Sequence, residues 1–173
     1  MTAATSPTMT LEEFLRRDDL PEEAELVLGR VVLPTPEGPD HYFLVRLLTR
    51  ALSAALANRD VDKEAPVSIL GEGQPRADVV VYRKSFEERL AASTLDAKDV
   101  EIVIEVSVTT AAYDLGDKEE QYARAGIPEY VVFDVRRGTA IVHTDPTALG
   151  YARRAFLTAA DEYRGVPLAP FLG

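Results

Sequence analysis

Hydrophobic positions change period along this chain, and each change predicts an element. Across residues 40–58, Leu44, Leu47, Leu48, Ala51, Leu52, Ala55 and Leu56 recur at three and four residues, which predicts the longest helix with one core-facing stripe. A capping box, Thr10-Leu11-Glu12-Glu13, starts an earlier short helix whose apolar stripe is Leu11, Phe14 and Leu15 and which ends near Asp18. Residues 25–33 alternate as a hairpin around Gly29, and Pro34, Pro36, Gly38 and Pro39 form a breaker-rich loop after it. Strands are predicted over 64–70, 76–82, 102–107, 129–135, 139–144 and 151–157, with a hairpin turn at Arg137-Gly138. A helix over 114–124 lies between the third and fourth of these and is stopped by Gly126 and Pro128. Residues 84–99 are polar and read as a short helix plus loop.

This order predicts an α/β (α+β) fold: a mixed sheet flanked by helices. A strand that leads through a helix into another strand favours a parallel pair with a right-handed crossover. Residues 1–9 read as a flexible leader to one domain over 10–173, without repeats or a linker. At 173 residues the chain can bury a proper core, and its 46% apolar and 28% charged content are ordinary for a globular protein.

Composition narrows the chemistry. With no cysteine there is no disulfide framework, thiolate nucleophile or thiolate zinc site. No apolar run approaches the roughly 18 residues of a membrane span. The first residues carry neither a basic region nor an apolar core, so a secretory signal is not expected and the cytoplasm is the expected address. A net charge of −10 argues against a protein that coats nucleic acid through bulk electrostatics; it is compatible with a local acidic site that holds metal.

Two apolar runs, Arg76-Ala77-Asp78-Val79-Val80-Val81-Tyr82 and Ile102-Val103-Ile104-Glu105-Val106-Ser107, are each interrupted by one carboxylate, an arrangement that costs free energy unless it is compensated. Side chains alternate along a strand, so Asp78 shares a face with Val80 and Tyr82, and Glu105 with Val103 and Ser107. If the strands are neighbours, both carboxylates reach one spot, and hard oxygen donors of this kind suit Mg²⁺ or Mn²⁺. Asp114, Lys118, Gln121 and Ala125 fall on one helical stripe, from which Lys118 could lean over that spot. Each residue also has a plainer reading. Asp78 could be an edge residue, Glu105 half of a buried ion pair, and Lys118 a solvated helix lysine. Glu25, at the head of the first hairpin, is either a third acid or an exposed strand end. His41 could meet a phosphate or cap its helix, while His143 has no sequence companion and reads as structural. Arg46 and Arg50, one turn apart, could contact a phosphate backbone or simply face water. No HExxH, GxxxxGK, GxGxxG or GxSxG motif is present.

Taken together, Glu25-Leu26-Val27-Leu28-Gly29, His41, Arg76-Ala77-Asp78-Val79-Val80, Ile104-Glu105-Val106-Ser107, Tyr113-Asp114-Leu115-Gly116-Asp117-Lys118 and Tyr122-Ala123-Arg124-Ala125-Gly126-Ile127-Pro128-Glu129-Tyr130 resemble the putative restriction endonuclease family. That family, once catalogued as a domain of unknown function, belongs to the PD-(D/E)XK nuclease superfamily. The resemblance implies a restriction-endonuclease-like core in which Asp78 is the motif aspartate and Glu105 the second acid. Position 77 is alanine where the superfamily motif has proline. Ser107 stands where its lysine is expected, and Lys118 on the next helix fits the vacancy. The implied activity is Mg²⁺- or Mn²⁺-dependent hydrolysis of DNA phosphodiester bonds. Asp78, Glu105 and Glu25 would hold metal, His41 would be accessory, and Lys118 would orient the nucleophile or stabilise developing charge. A homodimer is expected, since an acidic chain of this size needs a partner to embrace a duplex. An RNA substrate, or an inactive binding or assembly module on the same fold, are the alternatives.

Overall fold

The computed structural model describes residues 8–34, 36–92, 96–108 and 114–173. Most of the expected leader, residues 1–7, therefore lies outside the described residues, as do 93–95 and Tyr113. Of the leader's remainder, Met9 is tied down: its N–H donates to the Gly29 carbonyl at 2.8 Å.

The capping box forms as expected. Thr10 Oγ1 accepts from the Glu13 backbone, and Glu13 Oε2 accepts from the Thr10 N–H at 2.8 Å. The helix it starts, α1 (Leu11–Leu15), is shorter than the sequence suggested. Strands β1 (Glu25–Val27) and β2 (Arg30–Val32) pair antiparallel across Leu28 and Gly29. Both turn residues have positive φ, 48° and 72°, as a type I′ turn requires. A Cβ on Gly29 would also lie 2.7 Å from that of Thr8, so only glycine fits beneath the segment that runs through Thr8 and Met9.

Helix α2 (Pro39–Ala55) starts on Gly38 with proline at its first position, where a missing N–H costs nothing. Its buried stripe is Val45, Leu48 and Leu52; Leu47, expected inside, faces out. Strand β3 (Asp60–Pro66) begins earlier than its polar sequence indicated, because it is an edge strand whose Asp60, Val61, Asp62 and Lys63 still pair with β4 (Arg76–Tyr82). Helix α3 (Phe86–Ala92) and a 3₁₀ turn (Ala97–Asp99) precede β5 (Val100–Ser107). A π-helical turn (Asp114–Lys118) then leads into α4 (Glu119–Arg124), where the sequence predicted one regular helix. Single π turns occur often at functional sites. Strands β6 (Glu129–Asp134), β7 (Thr139–Thr147) and β8 (Gly150–Thr158) follow. The short pair β9 (Glu162–Tyr163) and β10 (Val166–Pro167) and α5 (Ala169–Leu172) had no sequence signal.

Strands β3 to β8 form one six-stranded sheet in chain order. The β5–β6 pair is parallel, as the strand–helix–strand pattern predicted, and the other pairs are antiparallel. One face carries Val79, Val81, Ile102, Ile104 and Phe133 against α2 and the C-terminal segment. The other carries Val80, Val103, Tyr130 and Val132 against Tyr122 and Ala123 of α4. Both cores are therefore built on β4 and β5, the strands that hold Asp78 and Glu105. Among the described residues no helix is long and apolar enough to cross a membrane.

Candidate active site

The site lies where β4 and β5 part. Their ladder runs through Val80 opposite Val103 and Val79 opposite Ile104. The next facing position would be Asp78 with Glu105, and no pair forms there. The Val106 N–H donates instead to Asp78 Oδ2 at 2.6 Å, so the aspartate closes the ladder with its side chain. On the other side of β4, Lys63 faces Val79 and Ala65 faces Ala77, which sets Glu64 opposite Asp78. Glu64, with φ of 52°, is strained for a non-glycine residue. Glu64, Asp78 and Glu105 thus stand at the register positions where the β3–β4 ladder skips a pair and the β4–β5 ladder ends.

Glu105 is buried, and an isolated carboxylate there would be costly. Its Oε1 accepts from Lys118 Nζ at 3.1 Å and from the Tyr122 hydroxyl at 3.3 Å. Lys118, itself buried, also donates to the Arg76 carbonyl at 2.8 Å and lies 3.3 Å from Glu25 Oε2. That last contact is an ion pair without hydrogen-bond alignment, since Glu25 Oε2 is buried and accepts no hydrogen bond. The ammonium thus sits between two carboxylates and a carbonyl. Tyr122 lies one turn beyond Lys118, a spacing from which its arrival at Glu105 could have been read.

His41, in the first turn of α2, places Nε2 3.1 Å from Asp78 Oδ2. Burial works to lower the His41 pKa, but the hydrogen bond and charge of Asp78, with Glu37 and Glu64 beyond, outweigh it and the net shift is upward. Asp78 Oδ2 is therefore shared by two donors, and Oδ1 has no protein hydrogen-bond partner among the described residues.

These side chains line a cleft of about 960 Å³ between the first hairpin, the start of α2 and the sheet edge. Seven of the lining residues are carboxylates, against Arg76, Lys118 and His41. The structure thus brings together Asp78, Glu105, Lys118, Glu25 and His41. It does not bring in Arg46 and Arg50, which stand exposed on the outer face of α2, where Arg46 Nη1 is 3.4 Å from the Tyr42 hydroxyl. Gln121, expected on the Lys118 stripe, is buried and donates to the Glu72 carbonyl at 3.2 Å. His143 is not solitary. It is fully buried, with Nδ1 3.1 Å from the Tyr130 carbonyl and Nε2 3.8 Å from Glu119, away from the cleft.

The Uma2 family, described as "Putative restriction endonuclease", matches residues 11–172. The chain belongs to this family. A crystal structure described as a putative nuclease belonging to DUF820, from Anabaena variabilis ATCC 29413, superposes with a TM-score of 0.65 at 15% sequence identity. The match covers 95% of this chain and 91% of the other, and at that identity it shows a shared fold. No curated protein matches the chain. Membership in this family, described as putative restriction endonucleases, supports a nuclease function, and the six-stranded mixed sheet flanked by helices belongs to the fold shared with that neighbour.

The donor set fits a hard divalent cation. Asp78 and Glu105 offer oxygen donors at the splayed strand ends, and Asp78 Oδ1 has no competing hydrogen bond among the described residues. Among the described residues no three acidic or imidazole groups form a ready-made cage. Mg²⁺ needs none, because it is commonly held by one or two carboxylates and keeps several waters.

Proposed function

We propose that the protein is a Mg²⁺- or Mn²⁺-dependent endonuclease that hydrolyses DNA phosphodiester bonds. The observation that carries this reading is the convergence of Asp78, Glu105 and Lys118 at the point where β4 and β5 separate. Asp78 and Glu105 would hold the metal; Glu25, paired with Lys118, is the third acid of the cleft and would join them only by turning from that lysine. When bound, the ion supplies screening of the phosphate charge and acidifies water. The Val106 N–H and His41 fix the Asp78 carboxylate, and Tyr122 and Lys118 fix that of Glu105. Lys118 stands where an ammonium can orient the attacking water or stabilise charge that develops on the phosphate. A stabiliser of this kind commonly contributes on the order of 10²-fold in rate. Arg46 and Arg50 lie on the helix that carries His41 but outside the cleft lining, so a contact of theirs with the nucleic acid would fall away from the scissile phosphate.

On this reading the protein acts in the cytoplasm as a homodimer, in which two protomers of this size would embrace the duplex from both sides. A monomeric mass by light scattering would remove the dimer from this account. The metal assignment is tested with crystals soaked in MnCl₂. Anomalous density is expected against Asp78 and Glu105; density confined to other acidic residues, or none at millimolar Mn²⁺, would favour a nuclease-fold module that has lost catalysis.

A further inference from the structure

The cleft has seven carboxylates, and a phosphate backbone must approach through them. Two of its three basic groups are committed to acids: Lys118 to Glu105 and Glu25, and His41 to Asp78. Arg76 is different. Its guanidinium donates to the Glu64 carbonyl at 2.9 Å and to the Glu22 carbonyl at 3.5 Å, and among the described residues it pairs with no carboxylate. Carbonyl acceptors hold the planar fork in place without neutralising it, and a guanidinium has five N–H donors. The group is thus oriented, carries its full charge and has donors to spare.

Arg76 also sits in register with the chemistry. It precedes Asp78 by two residues on β4, so the two side chains leave the same face of the strand, about 7 Å apart along it. Its own carbonyl accepts from Lys118, which ties its backbone to the ammonium. A guanidinium fork matches phosphate geometry better than an ammonium does.

We infer that Arg76 is a phosphate anchor: it binds a backbone phosphate of the nucleic-acid substrate beside the one that meets Asp78 and Glu105. This rests on the nuclease reading above. The anchor offsets the repulsion of the carboxylate-lined walls where the strand must lie closest to the sheet. It also accounts for an arginine left without an acid partner in an acidic cleft.

The test is binding of a fluorescein-labelled oligonucleotide, as duplex and as single strand, by fluorescence anisotropy in CaCl₂ over a salt series. Gels run afterwards check that the probe is intact. Arg76→Gln is expected to weaken binding roughly tenfold or more, whatever the sequence, and to flatten the plot of log affinity against log salt by about one phosphate contact. Arg76→Lys keeps the charge but not the fork, so it should retain the slope and lose part of the affinity. A purely structural role for Arg76 would not move the salt slope. Melting curves accompany both variants, and if the glutamine variant does not fold, the lysine variant decides. Wild-type affinity and slope in a folded variant overturn the inference while leaving the nuclease reading intact. A wild-type protein that binds neither probe and cuts neither overturns the nuclease reading, and the anchor with it.

Discussion

Replacing Lys118 by methionine tests whether the ammonium is the counter-ion that lets Glu25 and Glu105 be buried. The three side chains are 4–6% exposed, with the ammonium 3.1 Å from Glu105 and 3.3 Å from Glu25. Methionine fills nearly the same volume and removes the charge, which leaves two buried carboxylates without their shared cation. Breaking a buried pair in this way typically costs about 3–5 kcal/mol, because the remaining charge is uncompensated. For a domain of this size, at about 2–4 °C per kcal/mol, the melting temperature should fall by roughly 6–20 °C. The assay is urea and thermal unfolding in EDTA, followed by circular dichroism, for wild type, Lys118→Met, Glu25→Gln/Glu105→Gln and the triple variant. The triple variant should recover much of the loss, since no buried charge is then unpaired. A Lys118→Met protein within about 1 kcal/mol of wild type, with a coupling to the acids below about 0.5 kcal/mol, would refute the reasoning.

Gly73→Ala should destabilise the protein by about 1–3 kcal/mol and impair the site, as read by chemical denaturation and a cleavage assay. A Cβ there would lie 2.0 Å from Gln121 Nε2 and 2.3 Å from the Leu26 carbonyl, and those neighbours flank Lys118 and Glu25. His143, whose pKa burial pushes down against the nearby Glu119 charge, should titrate below 6.5 in a histidine NMR titration. Because the unfolded chain takes up that proton first, His143 contributes stability above pH 6.5 that is lost as pH falls below it, and His143→Gln should flatten this part of the stability profile. Tyr82 has its pKa pushed up to about 12 by burial, against the pull of Arg89. Its contribution to stability is whole below pH 10 and lost between about 10 and 12, and Tyr82→Phe should reduce the alkaline fall in urea midpoint.

The parts of the fold with strong periodicity were legible in the sequence. The alternation that put Asp78 with Val80 and Glu105 with Val103 survives in the structure, because both valines share the core under α4. The capping box, the hairpin at Gly29 and the parallel β5–β6 pair followed from local chemistry and chain order alone. Edge and tertiary effects were not legible. The charged start of β3 hides a strand because an edge strand needs no apolar face on every residue. Leu47 and Val45 exchange places because helical spacing fixes a stripe to within a turn, and packing on the sheet chooses its centre. The π turn before Lys118 has no spacing signature, yet it ends at the lysine that enters the carboxylate pair. Arg76 has no sequence signal for a related reason, since its importance comes from what the fold lays beside it, whereas Tyr122 does lie at a helical spacing from Lys118.

In the proposed function Asp78, Glu105 and Lys118 form a metal-dependent phosphodiesterase site. Nicking of supercoiled plasmid measures it most directly, with Mg²⁺, with Mn²⁺ and with EDTA, using wild type, Asp78→Asn, Glu105→Gln and Lys118→Met purified in parallel. Wild type is expected to nick in a reaction that EDTA abolishes, with a loss on the order of 10²-fold or more in each folded variant. Equal nicking by wild type and all three variants, or nicking that persists in EDTA, would contradict the proposed function.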